Sequence, residues 1–260
     1  MLYQKSLTVG RVLLFWVATM VTLVLSGPVA GQGEKAALLS GALTVPVTFG
    51  LTLLFAKWDG RKRADFGLEV TRASWLRFAA GVGFGFLLIG AQTAIMMLAG
   101  GVHWIAASPA PATLVPILGY LLLATREELA FRGYPLRALA FEFRPWIAQV
   151  AVASMFIIEH KLGGATWENA LLGAGTGSLV FGMATLVTKG LALPIGMHAA
   201  WNIGDWARGG KGDGGIWHIT VNPGSATYAD KVAIGSYVLV MMGAFVALWW
   251  VQRRSASHAA

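Results

Sequence analysis

The chain has 260 residues, of which 56% are hydrophobic and only 12% are charged. Because soluble globular domains have about 25% charged residues, this composition excludes an ordinary soluble protein and indicates an integral membrane protein. The net charge of +8 comes from Lys and Arg residues that cluster between the apolar runs. That distribution is typical of cytoplasmic loops and argues against a nucleic-acid partner.

Cysteine is absent from the sequence, which excludes disulfides, thiolate metal sites and a cysteine nucleophile. Apolar runs of about 20 residues recur along the whole length, and each is long enough to cross a bilayer as a helix. The sequence therefore predicts an all-α fold. It is a single integral membrane domain, residues 1–260, built as a polytopic transmembrane helix bundle of about eight spans.

The first three predicted spans enclose the most basic part of the chain. Residues 12–29 also resemble a signal peptide, but the many later spans favour a retained first helix. Residues 36–55 form the second span and residues 75–99 the third, whose many glycines suit close helix packing. The segment 57–77 at their junction carries six Lys and Arg residues and is predicted to be a cytoplasmic loop.

The remaining predicted spans alternate across the membrane. Loops on the outer side are predicted at residues 100–112 and at the polar, Gly-rich segment 207–231. An even number of spans places both termini on one side, and their basic flanks indicate that this side is the cytoplasm. The fourth to eighth spans are predicted at residues 113–140, 146–162, 167–187, 191–205 and 233–251.

Charged residues interrupt the fourth span between Arg126 and Arg132. A charge at the centre of a bilayer helix costs roughly 2.5–3.5 kcal/mol on insertion scales and is usually paired or functional. Glu128 and Arg132 are four residues apart and share a helix face, which predicts an ion pair. Glu127 lies about 100° round the helix and is left for chemistry. The alternative interpretation is an ordinary surface pair at a cytoplasmic helix end.

Two later spans contribute further polar groups, His160 on one and His198 with Asn202 on the other. His198 and Asn202 are four apart and share one helix face, whereas a lone histidine such as His160 is more often a packing residue. Since each polar group in a bilayer needs a partner inside the protein, we expect all three spans to meet around a polar intramembrane cavity.

A carboxylate with two imidazoles can activate water, either directly or through a bound metal. An imidazole and an amide can also stabilise the oxyanion that forms when water attacks a carbonyl. The predicted reaction is amide hydrolysis within the membrane. Other protease designs fit poorly, because the sequence contains no H-E-x-x-H and Ser178 does not lie in a G-x-S-x-G.

Three motifs, Glu127-Glu-x-x-x-Arg132, Phe156-x-x-x-His160 and His198-x-x-x-Asn202, occur in the order and approximate spacing of a known family. Between about residues 113 and 206 the chain resembles the CPBP intramembrane proteases. These are also called the ABI family and are related to type II CAAX prenyl endopeptidases. The resemblance implies that Glu127 is the general base, that His160 assists it, and that His198 and Asn202 stabilise the oxyanion.

The resemblance also implies supporting roles. Glu128 with Arg132 would hold the motif helix in place, and Phe156 would pack beside the site. Glu127, His160 and His198 could bind zinc with an open position, and a metal-free glutamate mechanism fits equally well. Glu159 precedes His160 and is expected to face solvent at the helix end.

The expected activity is that of an endopeptidase acting on a membrane-associated peptide or protein within the lipid bilayer. A prenylated or a bacteriocin-like peptide is the substrate that the resemblance implies. The compact, cysteine-free form points to a prokaryotic inner (plasma) membrane. Two alternatives belong to other functional classes: a catalytically silent scaffold or immunity protein of the same family, and a transporter with a proton-relay carboxylate, although inverted repeats are not evident.

Overall fold

The computed structural model describes residues 2–32, 35–107, 114–212 and 214–257. Nine α-helices and two short strands are present in this part of the chain. The helices are α1 Leu2–Ala30, α2 Ala36–Trp58, α3 Arg72–Ala99, α4 Leu114–Glu128, α5 Pro135–Glu142, α6 Pro145–Leu162, α7 Thr176–Thr188, α8 Ala192–Ala207 and α9 Ala226–Ser257. The strands are β1 Val102–Ala106 and β2 Trp217–Val221.

The expected all-α membrane bundle is confirmed. Five helical segments in the described residues are long and apolar enough to cross a membrane, namely α1, α2, α3, residues 169–188 and α9. The predicted fourth, fifth and seventh spans are also helical, but α4, α6 and α8 have only 15, 18 and 16 residues. Large apolar side chains cover the outside of the bundle, as a lipid-facing surface requires.

The fourth predicted span is broken into two helices. The sequence predicted one helix over residues 113–140, whose start at Thr113 lies outside the described residues. In the structure α4 ends at Glu128, a π-helical turn covers Leu129–Gly133, and α5 begins at Pro135. The break has a local cause, because Pro135 lacks the N–H of a continuous helix and its ring would clash with the preceding turn.

The two predicted outer loops contain a small sheet that the sequence analysis missed. Strand β1 pairs antiparallel with β2, from Val102 opposite Val221 to Ala106 opposite Trp217. Both segments are rich in β-branched and aromatic residues, which favour strands. Each run is only five residues long, so its pairing depends on a partner that is more than 100 residues away.

The close packing expected for the Gly-rich third span is present between α3 and α8. A Cβ added to Gly81 would lie 2.3 Å from the carbonyl oxygen of Leu193, and one added to Gly85 would lie 2.4 Å from that of Met197. On the facing helix, a Cβ on Gly196 would lie 2.3 Å from the carbonyl oxygen of Phe78. The two backbones therefore touch, which places the next turn of α8 deep inside the bundle.

Candidate active site

The end of α4 places two adjacent carboxylates in different surroundings. The Glu128 side chain is fully buried, whereas that of Glu127 keeps 21% of its surface exposed. Oε1 of Glu128 accepts hydrogen bonds from Nη1 of Arg132 at 3.3 Å and from Nδ1 of His198 at 2.9 Å. The ion pair predicted from the four-residue spacing is thus present. Glu127 points away from it, as the helical geometry indicated.

His198 lies between the two carboxylates. Because a carboxylate only accepts hydrogen bonds, Nδ1 of His198 is the donor to Glu128. Its Nε2 is then turned towards Oε2 of Glu127, at 3.6 Å. That separation is slightly longer than a direct hydrogen bond, so the two groups are close enough to interact electrostatically. The Phe181 ring stacks on the imidazole at a centroid distance of 4.4 Å and fixes its plane.

Arg132 connects the motif to α7. Its Nη2 donates to the carbonyl oxygen of Ser178 at 3.1 Å and to the hydroxyl of the same residue at 2.9 Å. The guanidinium also lies over the ring of Phe156, 4.8 Å from its centroid. Ser178 is 2% exposed, so its hydroxyl contacts Arg132 rather than the cavity. These contacts hold Glu128, and through it His198, in a fixed orientation.

His160 lies in the last turn of α6, two residues before the helix ends at Leu162. The Phe156 and His160 rings are 4.3 Å apart. Since a carbonyl oxygen only accepts, Nδ1 of His160 donates to the backbone oxygen of Phe156 at 3.0 Å. In the neutral ring this leaves the Nε2 lone pair available to accept a proton. His160 and His198 both interact electrostatically with the Glu127 carboxylate.

One cavity of about 830 Å³ brings the predicted residues of the later spans together. His160 and Phe156 line it from α6, and His198 and Asn202 line it from α8. Glu127 adjoins it through His198. The cavity continues past Tyr237 to a mouth formed by the α8–β2 connection and the start of α9. This mouth lies at the end of the bundle opposite the basic segment 57–77.

The expectation that Glu159 faces solvent is wrong. Glu159 is 6% exposed and forms an ion pair with Arg126. Arg126 is itself buried and also donates to the backbone oxygen of Thr19 at 3.3 Å. The sequence contained a signal for this pair: Arg126 lay in a predicted span without a partner, and a buried charge requires one.

A polar network near the cavity mouth was also missed. Arg208 donates to Asp205 at 2.9 Å and to the side-chain oxygen of Gln92 at 2.7 Å. Gln92 in turn donates to the backbone oxygen of Ala233 at 2.9 Å. The network joins α3, α8 and α9 beside the candidate residues. One face of α8 and its C-terminal end carries Asn202, Asp205 and Arg208, which are three residues apart. This spacing is visible in the sequence if the seventh predicted span is continued to Arg208.

The described residues contain no group of three or more His, Asp or Glu side chains arranged to hold a metal ion. Glu127, His160 and His198 border the same region, and each imidazole donates Nδ1–H to an oxygen acceptor, which leaves both Nε2 atoms free. The three side chains do not converge into such a group among the described residues, so we derive no chemical step through a metal.

The model of a protein family, described as type II CAAX prenyl endopeptidase Rce1-like, matches residues 109–204. This match confirms the resemblance to the CAAX proteases and covers Glu127, His160, His198 and Asn202. A search of curated proteins found no match to the chain.

Proposed function

Because residues 109–204 match a family of CAAX endopeptidases, we propose that the chain hydrolyses a peptide bond within the membrane. The observation that carries the proposal is one cavity bordered by His160, His198 and Asn202, with the Glu127 carboxylate 3.6 Å from His198. Water-dependent amide hydrolysis requires proton acceptors and hydrogen-bond donors around one carbonyl group. Here α4 and α6 supply the acceptors Glu127 and His160, and α8 supplies the donors His198 and Asn202.

The first step is the attack of water on the scissile carbonyl carbon. The Glu127 carboxylate removes a proton from the water, and the free Nε2 of His160 orients that water by accepting its second hydrogen bond. The partial exposure of Glu127 supports this role, because water must reach the carboxylate. Glu128 is fully buried and pairs with Arg132, which leaves it a positioning role.

The second step is collapse of the tetrahedral intermediate. The oxyanion is stabilised by the amide nitrogen of Asn202 and by the imidazole of His198, whose Nδ1 is held by Glu128. As the carbon–nitrogen bond breaks, Glu127 returns its proton to the departing amine. Both products then leave through the cavity mouth.

A metal-dependent version of the reaction uses Glu127, His160 and His198 as zinc ligands, which would make the protein a metalloprotease. The positions of these side chains favour the metal-free version. Chelation separates the two versions, since prolonged dialysis against a zinc chelator is expected to leave the rate of cleavage unchanged.

The substrate class follows from the orientation of the bundle. The positive-inside rule, applied to the basic segment 57–77, supports a cytoplasmic location for that end of the bundle and for both termini, in a prokaryotic cell. The cavity mouth is at the opposite end, beside Lys211 and Lys231. A membrane-associated peptide that reaches the outer leaflet, such as a bacteriocin-like peptide, is therefore favoured over a cytoplasmic prenylated one.

The test is cleavage of quenched fluorescent peptide libraries, with and without a prenylated cysteine, by the purified full-length protein in detergent. Glu127→Gln is expected to lower kcat/KM by about 10²–10⁴-fold, in line with loss of a general base. His198→Ala and Asn202→Ala are expected to lower kcat by about 10²–10³-fold.

Glu142→Gln is the matched control, because this carboxylate lies on α5 and not at the cavity. Activities are compared only among variants whose thermal stability and lipid content match those of the unmodified protein. Full activity of Glu127→Gln would overturn the proposed mechanism. If Glu127→Gln is active and His160→Ala is inactive, the general base would be His160 instead.

A further inference from the structure

A second cavity lies at the end of the bundle opposite the candidate active site. It has a volume of about 390 Å³, within the range of about 300–1,000 Å³ that small-molecule sites occupy. Its wall is largely apolar. The apolar residues include Val45 and Phe49 from α2, Ile195 from α8, and also Leu68 and Leu129. We call this cavity the α2–α3–α8 groove.

Three cations surround the rim of the groove. Arg77 and Lys189 line it directly. Arg137 adjoins it, because a Cβ added to Gly67 at the rim would lie 3.2 Å from Nη2 of Arg137. Nε and Nη2 of Arg137 are buried and have no hydrogen-bond partner among the described residues. Buried N–H groups without a partner are costly, so an anion held close to this half-buried guanidinium would offset part of that cost.

The backbone at the rim is also unusual. Lys189 has a φ of 52°, the only positive φ of a non-glycine residue in the described part of the chain. Lys189 is the left-handed residue that ends α7, a position where glycine or asparagine is more usual. Glu69 is the one carboxylate that lines the groove, so the rim has a net positive charge.

An apolar groove between membrane helices with a cationic rim is complementary to one class of ligand. We propose that the α2–α3–α8 groove binds an anionic phospholipid, with the phosphate at Arg77 and Lys189, beside Arg137, and an acyl chain along Phe49 and Leu129. The rim is part of the predicted cytoplasmic end, where anionic headgroups are concentrated. The proposal does not depend on proteolytic activity.

The lipid would also contact the helices that carry the candidate active site. Thr125 and Leu129 lie on either side of Glu127 along the chain, and Ile195 lies one turn before His198. Filling the groove removes a void behind these residues, so the bound lipid is expected to raise the thermal stability of the bundle.

The experiment titrates the full-length protein in detergent with dioctanoyl phosphatidylglycerol, dioctanoyl phosphatidylcholine or glycerol phosphate, and follows Tm. Phosphatidylglycerol is expected to raise Tm saturably and the other two to leave it unchanged. An equal rise with phosphatidylcholine would overturn the role of the cations. An equal rise with glycerol phosphate would show that only the anion is bound and would overturn the lipid site.

The variant Arg77→Gln/Lys189→Asn removes two rim charges, and asparagine tolerates the positive φ at position 189. It is expected to weaken the half-maximal effect of phosphatidylglycerol about 30-fold. The control Lys57→Gln/Lys62→Gln removes two exposed cations of the basic segment that do not line the groove.

Equal weakening by the test and control variants would indicate general charge attraction and would contradict the site. If the double variant unfolds without lipid, the single variant Lys189→Asn is compared in the same way. An unchanged affinity of Lys189→Asn for phosphatidylglycerol would then contradict the proposed site. The shift in Tm with lipid can also be measured in the Glu127→Gln variant. Failure of the proposed protease function and failure of the lipid site are therefore distinguishable.

Discussion

At the scale of single residues, the candidate site depends on which charges are paired. Glu128 and Glu127 are neighbours in sequence, yet one is buried against Arg132 and His198 and the other keeps 21% of its side-chain surface exposed beside His198. A buried carboxylate with charged partners is held in place, whereas a partly exposed one can exchange protons with water. The same distinction applies to Arg126, which is paired with Glu159 although neither borders the reaction path.

The Arg126–Glu159 pair is expected to position the two catalytic helices relative to each other. The two residues immediately precede Glu127 and His160, so their ion pair fixes α4 against α6. Glu159→Gln leaves the buried Arg126 without a charged partner and is expected to destabilise the protein by about 3–5 kcal/mol. The double variant Arg126→Met/Glu159→Leu is expected to lose less, because no lone charge remains.

Thermal unfolding in detergent measures this pair through a double-mutant cycle, with Glu142→Gln as the control for a carboxylate outside it. The coupling energy is expected to be favourable and well above that of an exposed pair, which is about 0.2–1 kcal/mol. If the stability losses of the two single variants add up to the loss of the double variant, the ion pair contributes nothing to stability.

At the scale of secondary-structure elements, the contact between α3 and α8 decides how deep His198 lies. This contact uses glycines on both helices, and membrane helices commonly pack through small residues because lipid provides no hydrophobic driving force. The Gly-rich character of the third span was visible in the sequence. The identity of its partner helix was not, since any of the other spans could offer a small-residue face.

Gly81→Ala tests this packing against a neighbouring glycine of the same helix. Its new Cβ would lie 2.3 Å from a backbone oxygen of α8, while a Cβ at Gly83 would meet nothing within 4 Å. Gly81→Ala is therefore expected to destabilise the bundle by about 1–3 kcal/mol, through forced backbone shifts. Gly83→Ala is expected to leave stability unchanged or raise it slightly, because alanine favours the helix.

Thermal unfolding of both variants in the same detergent provides the comparison. Equal stability of the two would mean that α3 and α8 do not touch in solution. Activity measured in parallel is expected to fall only in Gly81→Ala, since His198 moves with α8.

At the scale of the whole molecule, the orientation in the membrane decides which substrates can reach the cavity. The mouth opens near Lys231 and the basic segment lies at the other end. The positive-inside rule predicts that the basic end is cytoplasmic. The proposed outward access to the cavity and the proposed cytoplasmic position of the lipid groove both depend on that prediction.

The orientation can be tested directly because the chain has no cysteine. In intact cells, a membrane-impermeant maleimide is expected to label Lys231→Cys and to leave Lys62→Cys unlabelled. Both positions are exposed, so permeabilised cells provide the positive control by labelling both. The reverse pattern would place the mouth in the cytoplasm and favour a cytoplasmic, prenylated substrate.

The sequence by itself determined that the protein is a helical membrane bundle and that three of its helices carry polar motifs. Both conclusions rest on the cost of placing polar groups in lipid, which is a local property of each span. It also predicted the Glu128–Arg132 pair, because a four-residue spacing on one helix requires no knowledge of the fold.

Only the tertiary structure decided which distant groups meet. His198 bonds Glu128 across 70 residues, Arg126 bonds Glu159 across 33, and β1 pairs with β2 across more than 110. Such contacts depend on the order in which helices pack, and composition or periodicity within one segment contains no information about that order. The burial of Glu159 was missed for the same reason, whereas the break before Pro135 has a local cause that the proline itself signals.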